Sequence, residues 1–255
     1  MVRLRRTLAA VGALGLALAL PSAGAGAQGA GPDTRPTVAV IDFTNGAIGR
    51  QNADLEPLRA GIAGMLITEM AGNQGIRVVE REQLKAVLSE LQLGQSAQVD
   101  PNAAVRLGKL LNAHHIVTGG FVTDAKGRLV LTARSIETET GRIEYTTKVN
   151  GKTEDVLDAV EKLAGQVNTG LKLPALASRA REASNVAPAA SRKQAVPFQA
   201  VMLYSRALQA MDKQNRDEAV QLFRASLAQF PDYEAAKRQL ARLESGATAS
   251  TKPGA

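Results

Sequence analysis

The sequence predicts an α/β fold, a mixed sheet flanked by helices in the order β-α-β-α-α-β-β-β-α, followed by a small all-α C-terminal unit. Three observations carry this. Short β-branched runs alternate with helical stripes up to residue 113. Three strand-like runs then follow one another across turns too short for a helix. After a stretch rich in Ala, Ser, Pro and Arg, only helical patterning returns.

The chain starts with Arg3, Arg5 and Arg6, an apolar run from Leu8 to Leu20, and the small triplet Ala25-Gly26-Ala27. That order is a secretory signal, so residues 1–27 are expected to be removed and the protein exported to the periplasm. The apolar run is short of the roughly 20 residues a spanning helix needs. Residues 28–36 read as a flexible lead-in. The α/β domain is expected over 37–172, a linker over 173–197, helices over 198–244 and a disordered tail over 245–255.

"TVAVIDF" (37–43) suits a buried strand. Leu55, Leu58, Ile62, Met65, Leu66 and Met70 recur at helical spacing, with Asp54 as N-cap and Pro57 in the first turn. "IRVV" (76–79) is the next strand. Leu84, Val87, Leu88 and Leu91 form one apolar stripe of a helix starting near Glu80. Glu80 and Glu82 then complement its dipole. Two apart on a helix, their side chains diverge, so they do not make an acid–base pair.

"GQSAQV" (94–99) is a loop, and Asp100-Pro101 starts the next helix. Three strands are expected at 114–124, 128–138 and 142–151, joined as antiparallel hairpins. Thr153 caps a helix carrying Val156, Val160, Leu163, Val167 and Leu171. Further helical blocks cover 198–213, 216–229 and 232–244.

The formal charge of +7 falls to +4 once three arginines and no acids leave with residues 1–27. With few aromatic residues for base stacking, nucleic acid is excluded as a partner. Peripheral contact with an anionic outer-membrane surface is compatible with that charge. The chain has no cysteine, hence neither disulfides nor a lipid anchor.

No cofactor or metal is expected. His114 and His115 are neighbours at a strand start and point to opposite faces. No serine stands in a Gly-x-Ser-x-Gly elbow, and the glycine pairs fit neither phosphate-binding pattern. Gly119-Gly120 marks a bulge or a close backbone approach. Asp42, ending the first strand, is the one isolated carboxylate on which a ligand-sensing or enzymatic site would rest. With no convergent set, the sequence reads as non-enzymatic.

"VAVIDF" (38–43), "VVEREQLKAVLSELQLGQS" (78–96), "VDPNAAVRLGKLLNAHHIVTGGF" (99–121) and "ETGRI" (139–143) together resemble the CsgG family, the curli production assembly and transport component. The resemblance covers nearly all of 37–151. It implies a periplasmic α/β domain working through protein–protein contacts, in assembly or secretion of extracellular curli-type or envelope material. Its partners would be other envelope proteins or further copies of itself. In curli-secreting members it also implies a ring-forming outer-membrane channel. That role is the alternative here, because those members are lipidated on cysteine and extend their hairpins into a barrel.

Residues 200–240 resemble a tetratricopeptide repeat, with Leu203, Ala207, Ala219, Phe223 and Pro231 at its pattern positions. The resemblance makes these five the candidate partner-binding residues. One repeat cannot form a solenoid. It is expected to close with the helix at 232–244 and to dock a partner peptide, a second subunit or its own α/β domain.

Overall fold

The computed structural model describes residues 33–47, 51–91, 100–174 and 196–250. The expected signal peptide, most of the lead-in, the loop at 94–99, nearly all of the linker and the last residues of the tail lie outside them. Everything below concerns the unit Arg35–Ala255.

Strand β1 (Thr37–Val40) is buried along its whole length, as an apolar β-branched run predicts for a parallel strand covered on both faces. It pairs in parallel with β3 (Arg77–Val78) and β4 (His115–Thr123). Strand β2 (Thr44–Asn45) pairs in parallel with β4 further along, at Gly120 and Phe121. β4, β5 (Arg128–Glu137) and β6 (Ile143–Lys152) form consecutive antiparallel hairpins. The sheet is therefore mixed, in the order β3-β1-β4-β5-β6. Both hairpin turns carry a glycine at positive φ, Gly127 at 74° and Gly141 at 72°, a conformation that costs a residue without Cβ little. The pair Gly119-Gly120 is a close approach. A Cβ on Gly119 would lie 2.0 Å from the Thr132 carbonyl oxygen, and one on Gly120 would lie 2.4 Å from Thr44 Oγ1.

The helix expected from Leu55 to Met70 is broken. Its halves are α1 (Gln51–Leu55) and α2 (Leu58–Met70), with Pro57 at the α2 N-cap position and Asp54 inside α1. Proline disfavours a helical conformation in the residue before it, here Glu56, so the chain turns there. Helices α3 (Arg81–Glu90) and α4 (Pro101–Leu110) follow, and Asp100 Oδ1 caps α4 by accepting from the Asn102 N–H at 2.9 Å. A single 3₁₀ turn at Thr153–Asp155 leads into α5 (Val156–Gly170).

The sheet separates two apolar clusters. Ala39, Ile41 and Ile116 meet α3 and α4 on one face. Val38, Val40, Val117 and Leu131 meet α2 and α5 on the other. That second cluster continues without a break into α6 (Phe198–Asp212), α7 (Arg216–Gln229) and α8 (Glu234–Ser250). α8 runs to Ser250, past the expected start of the tail at 245.

Helix α2 is buried nearly all round, the signature of a helix with no solvent face. It lies between the sheet and α6. At two positions the contact is too close for any side chain. A Cβ on Gly61 would sit 1.9 Å from Ser205 Oγ, and one on Gly64 would sit 2.4 Å from the Tyr204 hydroxyl oxygen.

Candidate functional site

In an open α/β sheet, ligands favour the crevice beyond the carboxyl ends of the parallel strands, where the connections leave for opposite faces. Here α2 departs from β1 to one face, and α3 and α4 follow β3 on the other. Asp42 stands at the carboxyl end of β1 and is 8 % exposed. This crevice is filled by side chains of the chain itself.

Arg81 is the first residue of α3 and is 3 % exposed. Glu80, extended at φ −68° and ψ 143°, turns the chain from β3 into the helix and so aims Arg81 inward. Arg81 Nη2 donates to Asp42 Oδ1 at 3.2 Å and Oδ2 at 3.3 Å. The same guanidinium makes a bidentate pair with Asp212, Nη1 to Oδ1 at 2.5 Å and Nη2 to Oδ2 at 2.8 Å. Asp212 is the last residue of α6. Lys85, one turn along α3, donates to Asp42 Oδ2 at 2.5 Å and lies 3.3 Å from Asp212 Oδ2. Two carboxylates and two cations thus form a balanced cluster joining β1, α3 and α6.

Glu80 and Glu82 flank Arg81 and point the other way. Both receive Arg242 of α8, Glu80 through Nη2 and Glu82 through Nη1 at 3.3 Å. The two acids converge on one arginine of a different helix, against the divergence expected of positions two apart on a helix, because Glu80 is extended and stands outside α3. These outer pairs are nearly half exposed and contribute about 0–1 kcal/mol each.

Burial alone would raise the Asp42 pKa. The Arg81 charge, the Lys85 charge and hydrogen bond, and Arg59 outweigh it and hold the carboxyl below its ordinary value. Burial would likewise lower Arg81, and the Asp212 hydrogen bond and the Asp42 charge outweigh it and raise it, so Arg81 stays charged. A carboxylate held ionised by two cations is a poor proton acceptor. Asp42 serves as an anchor for the helical unit.

The other candidates lie apart from this cluster. His114 Nδ1 accepts from the Thr37 N–H at 3.0 Å, while His115 Nδ1 meets Glu144 Oε1 at 2.5 Å. Their rings are 6.5 Å apart and do not converge. Among the described residues no group of three or more His, Cys, Asp or Glu is placed to hold a metal ion. One open cleft of about 350 Å³ is bounded by Leu55, Thr123, Asp124 and Thr153, and a second of about 310 Å³ by Thr44, Gly120, Thr132, Arg134 and Thr146. Asp42 lines neither.

Of the five repeat-pattern residues, Ala207, Ala219 and Phe223 are fully buried within this chain. Leu203 is half-buried and Pro231 exposed. Phe223 packs on Tyr204, and Tyr204 on Tyr233, with centroids 5.8 and 5.2 Å apart. α6 lies against α2, so the chain's own α/β part occupies that helix face.

Sequence reasoning singled out Asp42 but missed Arg81, Lys85 and Asp212 as its partners. A carboxylate at the end of a fully apolar strand requires a cation, and Arg81 at the next strand-to-helix junction was the nearest legible one. Asp212 lies 131 residues from Arg81, and nothing local signals it.

Residues 22–124 match the family described as the curli production assembly/transport component CsgG. No curated protein matches the chain. Among solved structures, the chain is similar to the LpoB C-terminal domain from Escherichia coli, at 19 % identity and a TM-score of 0.36, over 46 % of this chain and 82 % of that one. It is similar to TolB from Acinetobacter baumannii at 12 % identity and a TM-score of 0.37, over 55 % of this chain and 29 % of that one. PelC from Paraburkholderia phytofirmans gives 14 % identity and a TM-score of 0.33, over 55 % and 90 %.

Proposed function

We propose that this chain, with its segment matching the CsgG family, is a non-enzymatic periplasmic component that aids assembly or secretion of extracellular curli-type or envelope material through protein–protein contacts. The observation that carries the reading is the family match over residues 22–124. The signal-like start of the chain supports export. The Asp42 cluster supports a binding role over a catalytic one, because its carboxylates are already committed to Arg81 and Lys85. In this reading the cluster fastens α6 to the sheet and presents the helices and the sheet as one body to other envelope proteins or to further copies. Cell fractionation with a C-terminal tag, followed by periplasmic crosslinking and mass spectrometry, tests it. The expected result is a periplasmic protein crosslinked to envelope proteins. Recovery in the cytoplasm refutes it.

A further inference from the structure

The helices α3 and α4 cover only part of the sheet face they share. Toward β5 and β6 that face is bare, with Val122, Thr132, Lys148 and Asn150 exposed. Alternation puts residues 128, 132, 134, 146, 148 and 152 on it, since Leu129, Leu131, Ala133 and Val149 point into the opposite core.

This bare face is cationic. Arg128 and Lys152 stand directly opposite each other in the register, an arrangement that like charges disfavour. Each is answered by an acid of a neighbouring turn, Asp124 at 2.6 Å and Glu154 at 3.0 Å. Arg134 and Lys148 stand diagonal to each other further along the same hairpin, since Arg134 is paired with Thr146 and Lys148 with Thr132. The cleft bounded by Gly120, Thr132, Arg134 and Thr146 lies here. Glu144, at the β6 bulge, is held by His115 Nδ1 at 2.5 Å and Ser135 Oγ at 3.2 Å, both on the opposite face of the sheet.

The same corner holds a free strand edge. β6 ends the sheet order, and among the described residues its ten residues pair only with β5. An open edge is a template for another strand. A strand added there projects every second side chain onto the face that carries Lys148. With Asp or Glu at those positions, all its carboxylates lie toward Lys148 and Arg134. A second copy of β6 fits less well, because it would bring Lys148 and Lys152 against the same cations. We infer that the β6 edge and the cationic face beside it dock an extended acidic segment of a partner protein by strand addition. This rests on the protein-contact reading above and names the chemistry of the partner.

The test uses the full chain and a dye-labelled peptide of ten residues alternating Glu and Thr, the length of β6, read by fluorescence anisotropy. The expected result is saturable binding that weakens with added salt and falls about tenfold in R134Q/K148Q, the loss of two surface ion pairs. The same peptide with every amide N-methylated has no N–H to donate along either edge and is expected not to bind. The R134E/K148E variant is expected to take a Lys-Thr peptide instead, which keeps the test decisive should the neutral variant misfold. The inference is overturned by an absence of binding, by equal affinity in R134Q/K148Q, by equal binding of the N-methylated peptide, or by anionic phosphatidylglycerol vesicles outcompeting the peptide. Cytoplasmic recovery would refute the periplasmic reading without changing the anisotropy result.

Discussion

Replacing Arg81 by methionine removes the cation that joins Asp42, just past the end of β1, to Asp212 of α6. Breaking a buried pair from one side costs about 3–5 kcal/mol, because the remaining charge stays buried. Two features lower that figure. The Asp212 side chain is 27 % exposed and regains water, and Asp42 keeps Lys85 at 2.5 Å. A loss of about 2–4 kcal/mol follows, equivalent to a fall in Tm of about 4–16 °C for a domain of this size. Urea unfolding followed by circular dichroism measures it. The pH dependence provides a second readout. The Asp42 pKa is lowered in the folded state, so its contribution is present above the unfolded carboxylate value of about 3.9 and is lost as pH falls through the folded value. The wild type should therefore lose stability below about pH 4, and R81M should lose less there because most of that contribution is already gone. In R81M/D212N the Asp212 charge is gone as well, and part of the loss should be restored. An R81M protein within 0.5 kcal/mol of wild type would refute the anchoring role.

The outer pairs predict a smaller effect. R242A should cost about 0.5 kcal/mol or less and the difference should vanish in high salt, because Arg242, Glu80 and Glu82 are all substantially exposed; denaturation at two ionic strengths checks this. G61V should destabilise by about 2–4 kcal/mol, since its side chain meets Ser205 where a Cβ alone would sit 1.9 Å from Oγ; chemical unfolding reads the change. Y204F should be neutral or stabilising by up to about 1 kcal/mol, because the buried hydroxyl has no hydrogen-bond partner among the described residues; chemical unfolding reads this too. Burial raises the Tyr204 and Tyr233 hydroxyls well above their ordinary value, so an alkaline absorbance titration should show both ionising only as the protein unfolds.

The α/β class and the succession of its main strands and helices along the chain were legible because each element carries its own period. β1 is apolar on both faces, and α3 and α5 show stripes at helical spacing. The two-residue strand β2 was not legible, since Thr44-Asn45 pairs with β4 through a gap that glycines at 119 and 120 open far along the chain. The break at Pro57 was a misjudged position. A proline tolerated in a first turn still disfavours helix in the residue before it. Glu80 and Glu82 were read as diverging, whereas both carboxylates meet Arg242 of α8, a common partner that left no local trace.

By itself, the sequence determined the alternation of strands and helices, the hairpins with their glycine turns, and the segment that matches the family model. Those depend on residues within a few positions of one another. Only the tertiary structure decided that α6 lies on α2, that Asp212 reaches Arg81 across 131 residues, and that one sheet face is exposed and cationic beside an edge that pairs with no further strand among the described residues. Burying α2 on all sides and neutralising Asp42 both require partners that local periodicity cannot specify, because side chains distant in the chain supply them only once it has folded.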